Sequence, residues 1–128
     1  MAAPTAPADQ SVLGEPLQPC GTAPMTGFYR DGSCRTGPDD RGVHVVCAAV
    51  DDAFLEYSRV QGNDLITPSP RYGFPGLKEG DRWCLCAARW EEARRVGKAP
   101  PVILEATHHN ATAIVAAEDL KAHRAQPR

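Results

Sequence analysis

Five cysteines, Cys20, Cys34, Cys47, Cys84 and Cys86, are the residues of this 128-residue chain whose type alone can do chemistry. A thiolate is a nucleophile and a soft metal ligand. Cys84 and Cys86 are separated by one residue in "GDRWCLCAARW". On a strand, residues i and i+2 share a face. Both thiols then lie beside Arg82, with Trp83 and Leu85 opposite. Two such thiols can ligate a soft metal or be oxidised together. The spacing matches neither the Cys-x₂₋₄-Cys of structural zinc nor the Cys-x-x-Cys of thioredoxin-like sites. Unbonded cysteine also packs as a small hydrophobe, and that is the default reading here and for Cys47, in the apolar run "VHVVCAAV". Cys20 and Cys34 sit in the glycine-rich turns "QPCGT" and "DGSCRTG", where a thiol flanked by Asp31 and Arg35 is better placed to react. The reactive-thiol candidates are therefore Cys20, Cys34, Cys84 and Cys86. A soft metal, with Cys34, Cys84 and Cys86 as ligands, is the less favoured reading. An odd cysteine count without a secretory signal reads as thiols and not as a disulfide framework.

Arginine and aspartate next to aromatic residues supply a second set. Arg30 and Asp31 follow Tyr29, and Asp81 and Arg82 precede Trp83. An Arg–Asp pair beneath an aromatic ring suits a small anionic or planar ligand. The ligand-pocket candidates are Arg30, Asp31, Asp81, Arg82 and Trp83. Most of the aspartates beside glycine are explained more simply by turns. His44 falls on the opposite strand face from Cys47. His108 and His109 diverge, and His123 belongs to an exposed helix, so each histidine reads as a surface or core residue. No GxGxxG, Walker loop, GxSxG or HExxH is present, which removes the usual sequence support for dinucleotide, nucleoside triphosphate, serine hydrolase and zincin chemistry.

The elements that must position these residues are short. Residues 1–11 read as a disordered Ala/Pro-rich leader, 12–124 as one domain and 125–128 as a free tail. Residues 12–42 hold six glycines and four prolines and read as turns. Val43–Val50 is apolar on both faces and reads as a buried strand. Asp51 is a natural N-cap for a helix over 52–61, closed by Gly62. Residues 62–80 carry Pro68, Pro70 and Pro75 and read as a long irregular loop. A strand over 82–86 leads into a helix with Trp90, Ala93 and Val96 inward, a Glu91–Arg95 pair outside and Gly97 at its end. Pro100–Thr107 reads as a third strand, Thr107 as the cap of a turn over 108–113, and "AAEDLKAHR" as a last helix. The sum is an α+β domain of two layers, with about three short strands, helices on one face and an irregular Gly/Pro-rich N-terminal third.

Formal net charge is −2, with 4 Lys/Arg against 9 Asp/Glu in residues 1–64 and 10 against 7 in residues 65–128. That gradient needs no nucleic-acid partner. No apolar run reaches membrane-spanning length, so no membrane partner is expected. "MAAPTAPADQ" has neither a basic nor an apolar signal region, and a cytoplasmic location is the expectation.

Four strings, "VLGEPLQPCGTAPMTGFYRDGSCRTGPDDRGVHVVCA", "GNDLITP", "FPGLKEGDRWCLCAARW" and "APPVILEATH", resemble a family of small proteins of bacteria and photosynthetic eukaryotes that is catalogued only as a domain of unknown function. The resemblance covers about residues 12–123. It implies a compact α+β domain and carries no catalytic residue. The residues themselves point to a small ligand- or metal-binding protein with a thiol-containing pocket, with or without catalysis. The alternative is a non-catalytic interaction domain, presented through the Pro-rich 66–77 loop, whose cysteines are structural and buried.

Overall fold

A computed structural model describes residues 9–125. Residues 1–8 of the expected leader and 126–128 of the expected tail lie outside it. Order begins before Val12: Ser11 is buried and bridges His108, and the Val12 N–H donates to Thr107 O at 2.9 Å.

The elements are β1 (His44–Ala49), α1 (Asp52–Val60), β2 (Arg82–Cys86), α2 (Ala87–Arg95) and α3 (Ala117–Ala122). Three single 3₁₀ turns, Pro70–Tyr72, Leu104–Ala106 and His109–Ala113, join them. This is a mixed α+β domain around a two-stranded antiparallel sheet, β1 against β2. The strands run antiparallel because α1 and the 62–80 loop bring the chain back along β1 in the opposite sense.

The expected third strand shrinks to one residue. Val102 bridges Ala48 on one side and Arg124 on the other. Pro100 and Pro101 have no N–H to extend the ladder. The Leu104–Ala106 turn then curls the chain away. Even so, Pro101 O accepts from Ala49 and Ile103 N–H donates to Cys47 O, so this segment covers the outer edge of β1.

Local signals explain the helices. The Asp51 side chain caps α1 by accepting from Phe54 N at 2.9 Å. Gly62 and Gly97 take positive φ just past α1 and α2, where a side chain would be strained. In α2 the buried stripe is Ala87, Trp90 and Ala93. Val96 lies beyond the last helical turn and is exposed, which corrects its expected inward place. His108, and not Thr107, caps the 109–113 turn: its Nδ1 accepts from Asn110 N at 3.0 Å. Thr107 instead turns its hydroxyl to the strand.

The sheet divides the interior in two. Val46, Ala48, Trp83 and Leu85 face the helices and pack with Phe54, Leu55, Trp90 and Leu120 in the main core. The Trp90 indole N–H is satisfied by Pro100 O at 3.1 Å. On the other face Cys47 and Cys84 pack with Cys20, Cys34 and Ala106. Among the described residues, no helix is long and apolar enough to cross a membrane.

Two disulfides, Cys20–Cys47 and Cys34–Cys84, fasten the N-terminal loops to that second face. Four of the five cysteines are therefore bonded, which corrects the reading of all five as thiols. Sequence spacing carried no sign of the pairing, because the partners come from loops that only the fold brings to the strands. The sequence separations of 27 and 50 residues set large loop closures. Loop entropy gives each bond about 3.5–4 kcal/mol of stability. Replacing Cys20 and Cys47 together by alanine should cost the oxidised chain about 2–4 kcal/mol in urea denaturation. A loss under about 0.5 kcal/mol would show that the loop is held without the bond.

Candidate functional site

The site grows from one cross-strand pair. Cys47 and Cys84 are directly opposite on β1 and β2. Their N–H groups do not bond each other. The Cys47 N–H donates to Thr107 Oγ1 at 3.1 Å, and the Cys84 N–H to Thr26 Oγ1 at 2.9 Å. A non-hydrogen-bonded antiparallel pair brings its side chains closest. The loop partners complete a compact group: the sulfurs of Cys20, Cys34 and Cys47 all lie within 4.8 Å of one another, and Cys84 is bonded to Cys34. All four residues are buried. Cys86, the remaining thiol, is half-buried at the β2–α2 junction, outside this group.

The bulge in β1 explains the separation of Cys84 from Cys86. His44 pairs with Cys86 and Val46 with Leu85, which leaves an extra residue in β1. A bulge re-aims the side chains around it. Val45 and Val46 are both buried in succession, and His44 is turned outward.

His44 and Cys84 both line a cavity of about 580 Å³. Phe28 and Arg30 come from the N-terminal loop, Tyr72 and Phe74 from the 62–80 loop, and Trp83 from β2. The Arg30 guanidinium carbon sits 5.1 Å from the centroid of the Trp83 ring, a cation–π arrangement. Its Nη1 donates to Gly27 O at 2.7 Å, and among the described residues it makes no ion pair. Phe74 meets the same indole edge-on at 5.2 Å. Asp64 stands at the rim, held below the usual carboxylate range by its hydrogen bonds from Thr67 and Ile66.

Asp40 orients His44. Its carboxylate accepts from His44 N at 2.9 Å, from Thr36 Oγ1 at 3.0 Å and from His44 Nδ1 at 2.6 Å. Burial pushes the Asp40 carboxyl upward, but the bonds from His44 and Thr36 outweigh it and the value falls below the ordinary one. An ionised carboxylate only accepts, so Nδ1 carries the proton and Nε2 is the nitrogen left for a ligand. The ring also stacks on Phe28 and lies over Gly42, where any side chain would collide with it.

Backbone strain marks the same place. Arg30 and Val43 have φ of 55° and 50°. A positive φ is costly for a β-branched residue such as Val43, and such strain concentrates at ligand sites.

Of the pocket candidates, Arg30 and Trp83 meet in the cavity. Asp31 pairs with Arg35 at 2.8 Å and caps Ser33 N. Asp81 closes a turn by accepting from Lys78 N, and Arg82 is exposed at the start of β2. None of these three lines the cavity. Asp40, His44, Phe28, Tyr72 and Phe74 belong to the site, although the sequence did not single them out as pocket residues. An aspartate four residues before a histidine, with Gly42 between them, was the available signal.

The chain belongs to the family described as an uncharacterised protein conserved in bacteria, DUF2237, whose model matches residues 10–124. No curated protein matches it.

The Asp40 arrangement has a pH signature. A depressed carboxyl favours the folded state above its unfolded value of 3.8, and the advantage is lost as pH falls below that. Asp40→Asn should cost about 1–3 kcal/mol at pH 7. Denaturation from pH 7 to pH 2 should show the gap to the parent chain narrowing below about pH 4. A gap that stays constant to pH 2 would mean that the charge of Asp40 is not what stabilises.

Proposed function

We propose that the protein binds a small planar anion in the cavity between the N-terminal loop, the 62–80 loop and β2. The observation that carries this is Arg30, held over Trp83 without a carboxylate partner among the described residues, at the wall of an aromatic-lined cavity. A ring inserted between Tyr72 and Trp83 replaces water on apolar surface, and its anionic group meets the guanidinium. His44 Nε2, fixed by Asp40, supplies a second polar contact and a proton acceptor or donor for any reaction on that ligand. Cys84 forms part of the wall, and its bond to Cys34 ties the loop carrying Arg30 to the strand carrying Trp83.

The interaction-domain alternative rests on the exposed side chains of the 62–80 loop. Tyr72 is 73% exposed, but it also lines the cavity, so its exposure supports the ligand reading as well as a docking surface.

We propose a cytoplasmic location, where reductants keep thiols open and both disulfides would be subject to reduction.

The test is titration with aromatic carboxylates and their carboxamides, followed by tryptophan fluorescence and ligand-observed NMR. Carboxylates should bind and carboxamides should not. Arg30→Asn, chosen because asparagine tolerates positive φ, should weaken carboxylate binding about 10- to 100-fold. Equal binding of both series, or no effect of Arg30→Asn, would refute an anion site.

A further inference from the structure

Four cysteines from four separate segments meet on one face of the sheet, and they do so as two adjacent disulfides. We propose that, when both bonds are reduced, Cys20, Cys34, Cys47 and Cys84 form a tetrathiolate site for one soft divalent cation of the zinc class. The disulfides and the metal are then alternative fastenings of the same loops.

The geometry supports this without a change of fold. A tetrahedral tetrathiolate with Zn–S of about 2.3 Å has its sulfurs about 3.8 Å apart. The Cys20, Cys34 and Cys47 sulfurs already lie within 4.8 Å of one another. Reduction frees each bonded pair to rotate toward that separation, and Cys84, which is outside the 4.8 Å group, has the farthest to move. The fourth sulfur, Cys84, is across the strands from Cys47. A closed set of four is what a structural zinc site uses, whereas a catalytic one leaves a position open.

The backbone around the cluster does not depend on the S–S bonds. Thr107 and Thr26 hold the Cys47 and Cys84 amides. In the loops, Cys20 N–H donates to Gly32 O at 2.7 Å, Gly32 N–H to Thr26 O at 2.9 Å and Gln18 N–H to Glu105 O at 3.0 Å. These bonds keep the four cysteines near one another after reduction. The cation has a way in, since Cys84 lines the cavity while the other three are sealed behind it. Cys86 is outside the group and takes no part.

The conversion balances with a dithiol reductant. Exchange breaks each protein S–S bond, passes two electrons and two protons to the pair and closes the dithiol to its own disulfide. Binding of one divalent cation then displaces the four thiol protons. The spacing of Cys84 and Cys86 had argued against zinc, and that argument holds for those two as a pair. The ligands that converge come instead one from each of four segments.

The experiment uses the full chain, reduced with dithiothreitol, desalted under argon and titrated with Co²⁺ and then Zn²⁺. One equivalent of cobalt should give sulfur-to-metal charge-transfer absorption and the intense visible bands of tetrahedral cobalt, and zinc should displace it. Alkylation should label one thiol in the zinc form and five after chelation. Cys86→Ser should leave affinity unchanged, whereas Cys20→Ser and Cys84→Ser should each lower it at least tenfold. If the reduced chain is unfolded by circular dichroism, one equivalent of zinc should restore the fold. No stoichiometric uptake, a reduced chain that zinc does not refold, or loss of binding in Cys86→Ser would each overturn the proposal.

Discussion

The Cys47–Cys84 cross-strand pair is the constraint on which the rest depends. Two short strands alone are marginal in water. This sheet gains support on one face from helices, through Trp90, Phe54 and Leu55. Its other face would be open if the N-terminal third were not fastened there. That third is rich in glycine and proline and buries little apolar area of its own. Covalent attachment at two neighbouring strand positions replaces the core it cannot build. The hydroxyls of Thr26 and Thr107 complete the attachment by satisfying amides that the two-stranded ladder leaves unpaired.

The same attachment creates the cavity. Cys34 follows Phe28 and Arg30 by a few residues, so its bond to Cys84 lays this loop against the residue next to Trp83. The cost appears as the left-handed backbone of Arg30 and Val43. Arg30 gains the indole face, and Val43 precedes the bulge that turns His44 outward. Gly42 is required where the imidazole crosses the backbone, and Asp40 supplies the buried acceptor that selects its tautomer.

What could be read from residue order was what is local. Asp51 capping α1, Trp90 and Ala93 facing inward, the Glu91–Arg95 pair at 3.2 Å and the irregular 62–80 loop follow from turn chemistry and helical spacing. Antiparallel pairing, the bulge and the disulfides rest on contacts between segments tens of residues apart, to which composition and period are blind. Strand alternation placed Cys84 and Cys86 on one face. The expectation met the end of β2, where Cys86 occupies the N-cap position of α2 without a side-chain capping bond and pairs with the bulged end of β1. Arg30 and Trp83 could be singled out because cation and ring chemistry is local in kind, and both line the cavity. Their partners were not singled out: His44 reads as one more strand histidine, and only Asp40 four residues earlier, with Gly42 between, pointed to its setting.

Cys84 belongs to both the sulfur group and the cavity wall, so in the proposed site ligand affinity would follow redox state. A ligand held between Arg30 and Trp83 bridges the N-terminal loop and β2, the two segments that the Cys34–Cys84 bond also joins. Anything that binds only the docked loop stabilises docking, and docking strengthens binding by the same factor. Opening the bond would release the unbound loop from the strand. In the proposed site the reduced, metal-free chain would bind more weakly, because it would have to order that loop on binding, whereas the disulfide or a metal on the four sulfurs would order it in advance. Asp40 and His44 sit on the strand side of this junction, on a turn closed by its own hydrogen bonds. The Asp40 bonds to His44 would therefore remain through a change in how firmly Arg30 is held.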